Sequence, residues 1–130
     1  MKLEEMIGMV RTFHEAFGIE NAIEQKAQLT ESDMLLRYKL MREENEEYLE
    51  AAQNGDIVEI ADALGDMLYI LCGTILSHGL SDKMEPVFRE IQNSNMSKLD
   101  ESGRPIYRED GKVLKGNLYF KPNIASILEN

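Results

Sequence analysis

The stretch Met41–His78, MREENEEYLEAAQNGDIVEIADALGDMLYILCGTILSH, decides the fold. Its first part is built from good helix formers, and its second part is apolar at helical spacing. Between them, Asn54-Gly55-Asp56 has turn chemistry, and Asp56 is placed to cap the second part. The pattern predicts a tight pair of antiparallel helices. From Glu43 to Asp82 there are ten acidic residues and no lysine or arginine. The chain has 24 acids and 14 bases, so the charges outside this stretch cancel and the net charge of −10 falls within it.

The acids are not on the outer faces. At about 100° per residue, Glu43, Glu44 and Glu47 fall within about 80° of Leu36, in the same stripe as Leu36 and Leu40. On the next helix, Glu59, Asp62 and Asp66 form a narrow arc beside Ile70, and the arc opposite holds Ile57, Ile60, Leu64, Met67, Leu68, Leu71 and Ile75. Glu46 and Glu50 leave the stripe and read as solvated surface. Asp62 and Asp66 repel as like charges at i, i+4. Unpaired carboxylates that are partly buried cost several kcal/mol each, or take up protons. Two acidic arcs facing each other call for a divalent cation. With no His or Cys beside them, the carboxylates select a hard ion, Mg²⁺ or Mn²⁺.

A chain of 130 residues with 43% hydrophobic content reads as one globular domain, 1–130, with a helical core over about 2–98 and a tail over about 99–130. The single cysteine, Cys72, rules out an internal disulfide framework, reads as a small core residue and fits a reducing, cytoplasmic setting. The N-terminus MKLEEMIGMV carries acids early and does not read as a signal peptide. The longest uninterrupted apolar run, Met67–Cys72, is too short to cross a bilayer, so no membrane partner is expected. The acidic balance argues against nucleic acid as a partner.

Outward from the central pair, Leu3, Met6, Ile7, Val10, Phe13 and Phe17 recur at three and four, giving a first helix over 2–17 stopped by Gly18. Phe13 and Phe17 read as core, with stacking of one of them on a nucleobase as the alternative. His14 reads as a surface or hydrogen-bonded residue. Residues 19–29 form a short connection, and Thr30 or Ser32 can cap the second helix, which runs to about Gln53. The third helix ends at His78-Gly79. Ser81 is expected to cap a fourth helix, with Leu80 as its staple, Pro86 in its early part and fraying by Asn95 to Lys98. Asp110-Gly111 between Ile106-Tyr107-Arg108 and Val113-Leu114 predicts a β-hairpin. Lys115–Pro122 reads as an extended, mildly basic tail. The fold class is all-α, a four-helix bundle core with a short C-terminal hairpin and extended tail.

The pattern Glu43-Glu44-x-x-Glu47, then Glu59-x-x-Asp62 and Asp66-Met67-Leu68-Tyr69, resembles the all-α nucleoside triphosphate pyrophosphohydrolases. That superfamily includes the MazG-type enzymes, dimeric dUTPases and phosphoribosyl-ATP pyrophosphohydrolases, and its hallmark is E-x-x-E on one helix and E-x-x-D on the next. Ser94–Leu99, Gly111–Gly116 and Lys121-Pro122 are similar to one phosphoribosyl-ATP-pyrophosphohydrolase-like branch. One departure is that Ala63 stands three before Asp66, with Asp62 one position earlier. Either Glu59 and Asp62 are the working pair with Asp66 assisting, or Asp62 replaces the glutamate.

The resemblance implies Mg²⁺-dependent hydrolysis of a nucleoside triphosphate, with a (d)NTP expected, to monophosphate and pyrophosphate. It implies Glu44, Glu47, Asp62 and Asp66 as metal ligands, Glu59 as a further candidate, and Glu43 as the residue that orients or deprotonates water. Asn95, Lys98, Lys115, Asn117, Tyr119 and Lys121, with Phe13, are the candidate substrate contacts. Family members are dimers or tetramers, and the apolar third helix asks for more than one neighbour, so a homodimer or homotetramer is expected. The rival readings are a phosphoribosyl-ATP pyrophosphohydrolase and a non-enzymatic acidic adaptor for a basic protein. An oxidative di-metal bundle is disfavoured, because no His follows these glutamates at i+3.

Overall fold

The computed structural model describes residues 1–130. Helices form where the 3.6-residue period and capping residues coincide: α1 (Leu3–Ala16), α2 (Glu31–Gln53) and α3 (Ile57–Ser77). Thr30 caps α2 by accepting from the Asp33 N–H at 3.1 Å. Asp56 caps α3 by accepting from the Val58 and Glu59 N–H groups at 3.1 and 3.2 Å. Between them Gly55, at φ +66°, turns the chain through the left-handed region that a side chain would resist.

Met1–Asp82 is one compact unit, in which α3 packs against both α1 and α2. Its core is Ile7 and Val10 of α1, Ala51 of α2, and Ala63, Cys72, Ile75 and Leu76 of α3. Cys72 is the small core residue expected, and burial pushes its thiol pKa up. The connection before α2 is fastened to the end of α3. The Ala22 N–H donates to the Leu76 carbonyl at 3.2 Å, and the Lys26 N–H to the His78 carbonyl at 2.9 Å. The His78 ring returns a bond from Nδ1 to the Lys26 carbonyl at 2.9 Å.

Lys83–Asn130 is a second compact unit. It holds α4 (Met84–Met96), the strands β1 (Ile106–Tyr107) and β2 (Val113–Leu114), and α5 (Ile124–Glu129), which packs on α4. The strands pair antiparallel, Ile106 with Leu114 and Tyr107 with Val113, around the expected Asp-Gly turn. The Ser94 hydroxyl donates to the Phe120 carbonyl at 2.9 Å, and the Phe120 N–H donates to Ser97 Oγ at 3.1 Å.

Two local expectations are corrected. Ser81 does not cap α4: the helix starts later, behind Lys83 with no side-chain cap, and Ser81 Oγ accepts from Arg11 Nη2 at 3.3 Å. Pro86 thereby falls in the first turn, where its missing N–H costs nothing. The tail is also not extended to its end. Asn123 accepts from the Ser126 N–H at 3.2 Å and starts α5, a turn whose Ile-Ala-Ser-Ile run is too short to show a period.

Helix α3 as a whole, unlike its short uninterrupted run, is long and apolar enough on average to cross a membrane. Its acids Glu59, Asp62 and Asp66 would be costly in hydrocarbon. Its C-terminal half is buried against protein, as a core helix is.

Candidate metal centre

Glu44 and Asp66 each stand eleven residues from Gly55, one on either arm of the α2–α3 pair. In antiparallel helices joined by a tight turn, equal counts from the turn bring residues level. Glu47 is one turn from Glu44 on the same face of α2. Carboxylate oxygens of Glu44, Glu47 and Asp66 accordingly lie within 4.8 Å of one another. The sequence-based expectation of a meeting between two acidic arcs is thus realised by these three residues.

The electrostatics are those of carboxylates crowded together. The Glu44 carboxyl is pushed up to about 7, first by burial, then by contact with Glu47 and by the charges of Glu47, Asp66 and Asp62. Asp66 is raised by burial, by Asp62 and by Glu47. Glu44 Oε2 is covered and has no hydrogen-bond partner. A buried oxygen left unsatisfied within an all-carboxylate set fits a hard divalent ion as its missing partner.

The other expected acids are placed around this centre. Asp62, one turn before Asp66, lies outside the close trio but raises the pKa of both Glu44 and Asp66. Glu59 is exposed in the first turn of α3, where its N–H is taken by Asp56, and it too lies outside the trio. Glu43 is exposed on α2 beside Glu44. Phe13 joins an aromatic cluster, 4.5 Å between ring centres from Phe17 and edge-on to Tyr69 at 5.7 Å. Tyr69 is one turn beyond Asp66 on α3, so the rings and the acids are neighbours along one helix.

The remaining candidates lie in the second unit. Asn95 is in the last turn of α4, and the Lys98 carbonyl accepts from the Gly116 N–H at 3.0 Å. Lys115 places Nζ 4.7 Å from the centre of the Tyr119 ring. Lys115 and Asn117 line a cavity with Asp100 and Ser102, and Lys121 lies in the segment between β2 and α5.

Sequence reasoning passed over Arg37. Its side chain is buried between helices, with Nε donating to Thr74 Oγ1 at 3.1 Å and Nη2 to the Ile70 carbonyl at 3.0 Å. No carboxylate pairs with it, and burial lowers its pKa. His14 is likewise buried, its Nδ1 2.6 Å from Asn21 Oδ1. The available signal for Arg37 was its place seven residues before Glu44, which puts the two on one face of α2.

A helical pair with facing acidic arcs and a carboxylate trio defines the MazG-like class of nucleotide pyrophosphohydrolases. A sequence model of the phosphoribosyl-ATP pyrophosphohydrolase family matches residues 10–95, about two-thirds of the chain, and the chain belongs to that family. Membership carries pyrophosphohydrolase activity on a nucleotide, a small-molecule substrate. No curated protein matches the chain.

Proposed function

We propose that this protein hydrolyses a nucleoside triphosphate, a (d)NTP, to the monophosphate and pyrophosphate with Mg²⁺ as its metal. The observation that carries the reading is the trio of Glu44, Glu47 and Asp66, with Oε2 of Glu44 unpartnered. A triphosphate is too negative to approach these carboxylates unless a cation lies between them. When bound, Mg²⁺ supplies that neutralisation, polarises the phosphoryl oxygens and acidifies water.

The chain's own residues do the rest. Glu44, Glu47 and Asp66 hold the ion, and Asp62 reinforces the negative field from the same face of α3. Glu43, exposed beside the trio, orients the attacking water and accepts its proton. The cover over Glu44 Oε2 strengthens the charge–charge terms at that oxygen. A second copy of the chain completes the functional unit: Leu64, Leu68 and Leu71 of α3 are more than 40% exposed on the isolated chain, an apolar strip that invites a homodimer or homotetramer.

A second reading, phosphoribosyl-ATP as substrate, is favoured by the family match itself. One experiment separates them. Purified protein is offered the canonical and modified (d)NTPs and phosphoribosyl-ATP with Mg²⁺, and pyrophosphate release is compared with phosphate release. Pyrophosphate from one or two (d)NTPs, abolished by chelator and by Glu47→Ala, is the expected result. Turnover of phosphoribosyl-ATP alone would establish the second reading. No turnover of either would defeat both.

A further inference from the structure

Four charged side chains surround one cavity of the N-terminal unit, and no two of them form an ion pair. The cavity has a volume of about 460 Å³ and lies between the connection after α1 and the N-terminal half of α2, with Glu20, Lys26, Asp33 and Arg37 on its walls. The ion pairs of the chain are elsewhere, and no member of the acidic trio lines this space. The volume is in the range of small-molecule sites. The bonds from the connection to the end of α3 hold one wall in place.

The four charges are sorted by depth. Arg37 is 91% buried, being 9% exposed, whereas Glu20, Lys26 and Asp33 are exposed. The floor is thus cationic, and both acids stand at the mouth. Arg37 donates from Nε and from Nη2 to α3, which leaves Nη1 without a protein partner. Asn21, also on the walls, spends Oδ1 on His14 and has its amide NH₂ left to donate. A guanidinium held away from water is costly to keep charged unless an acceptor meets it. A carboxylate is the acceptor whose two oxygens match the guanidinium fork.

The mouth narrows the class further. Glu20, Asp33 and Lys26 sum to one negative charge, against one positive charge at the floor. Phosphate on Arg37 would bring a second negative charge toward the two acids. A divalent cation would meet the guanidinium, and a neutral ligand would leave it uncompensated. A zwitterion has a complement at both ends, and Leu29 and Leu36 offer apolar wall to the carbon chain between its charges.

We propose that this cavity binds a small amino carboxylate, with its carboxylate inward on Arg37 and Asn21 and its ammonium outward toward Glu20 and Asp33, at a site separate from the acidic centre. Both ends are needed: the carboxylate gives Arg37 the acceptor it lacks, and the ammonium lets that carboxylate enter past two acids. The same Arg37 side chain ties α2 to α3 through Thr74 and Ile70, so the ligand is held where those helices are fastened together.

The test uses the full chain and isothermal titration calorimetry at pH 7. The probes are the common α-amino acids, β-alanine and γ-aminobutyrate, with acetate, methylamine and inorganic phosphate as single-charge-type controls. They are titrated into wild type, Leu36→Trp, Arg37→Met, the double variant Glu20→Gln with Asp33→Asn, and Glu47→Gln. At least one amino carboxylate is expected to bind wild type and Glu47→Gln equally, and about tenfold or more tighter than acetate, methylamine or phosphate. Its affinity should fall by about tenfold or more in Arg37→Met and in the double variant, each of which removes the charge facing one end of the ligand. Leu36, Glu20 and Asp33 are exposed or half-exposed, so their variants remain informative where Arg37→Met fails to fold. Leu36→Trp should weaken binding by filling the space. Absence of binding by every amino carboxylate would overturn the proposal. So would acetate or phosphate binding as tightly as the best amino carboxylate, undiminished binding in Leu36→Trp or in the double variant, or loss of binding in Glu47→Gln.

Discussion

A Cβ atom on Gly73 would lie 2.6 Å from Nη2 of Arg37 and 2.9 Å from Nε2 of His14. The two helices meet there through a bare backbone because a buried guanidinium and an imidazole occupy the space a side chain would take. Alanine at a helix-interior glycine ordinarily stabilises by about 1 kcal/mol. At Gly73 steric overlap outweighs that gain, since neither neighbour is free to move: Arg37 is bonded to Thr74 and Ile70, and His14 to Asn21. Gly73→Ala should therefore destabilise by about 1–3 kcal/mol. Gly8, on α1 with nothing within 4 Å of where a Cβ would stand, is the control, and Gly8→Ala should raise stability by about 0.5–1 kcal/mol. Urea titration of both variants reads the two signs directly.

Stability of the metal-free protein should fall as pH rises. Glu44 is raised from its ordinary value of 4.5 to about 7, and Asp66 is raised as well, because burial and neighbouring carboxylates favour the protonated forms. A raised folded-state pKa means the folded chain holds the proton more tightly than the unfolded chain. The resulting stabilisation is complete below about pH 4.5 and is lost as pH climbs through about 7. Solvent screening of the exposed members reduces it to about 1 kcal/mol, worth about 4 °C in melting temperature. With chelator present, Tm at pH 8 should lie below Tm at pH 5.5, and Glu44→Gln should flatten the slope. Mg²⁺ added at pH 8 should restore the difference.

How much of this could be read beforehand depends on the turn. Asn54-Gly55-Asp56 fixes the register of α2 against α3, and counting eleven residues each way pairs Glu44 with Asp66 without any coordinates. The same count of eighteen pairs Arg37 with Gly73, a meeting equally available but masked, because an isolated arginine within a charged helix reads as surface. Periodicity gave no weight to α5, since six residues are under two turns. Glu59 illustrates the limit of spacing alone. It shares the acidic arc of α3 with Asp62 and Asp66, yet its position two turns nearer the cap keeps it out of the trio. The cavity beside Arg37 depends on how the connection after α1 is fastened to α3, and backbone bonds of that kind leave no mark in side-chain pattern.

Self-association should depend on the outer face of α3. Leu68 is 42% exposed on the isolated chain, with Leu64 and Leu71 a turn away on either side in the same state. Burying such a strip contributes roughly 25 cal/mol per Å², whereas a carboxylate placed within it stays unpaired and costs several kcal/mol. Leu68→Glu should convert an oligomer to monomer in light scattering behind size exclusion, with helical circular dichroism retained, because Leu68 is not among the buried residues that form the core. A wild-type protein that already elutes as a monomer would remove the second copy from the proposed functional unit.

Two residues that both look like helix caps should behave differently when removed. Asp56 and Ser81 each precede an apolar helical run, and each has a side-chain oxygen able to accept from free N–H groups. Asp56 does so twice, from Val58 and Glu59, and its negative charge also sits at the positive end of the α3 dipole. Ser81 is three residues ahead of α4 and instead accepts one long bond from Arg11. Asp56→Ala should therefore cost about 1–2 kcal/mol, and Ser81→Ala less than about 0.5 kcal/mol. Because Asp56 also ends the turn that sets Glu44 level with Asp66, its loss should weaken Mn²⁺ binding measured by electron paramagnetic resonance, whereas Ser81→Ala should leave binding unchanged. Equal costs for the two variants would mean that the α2–α3 register is held by packing of Ala51 and Ala63 and not by the cap.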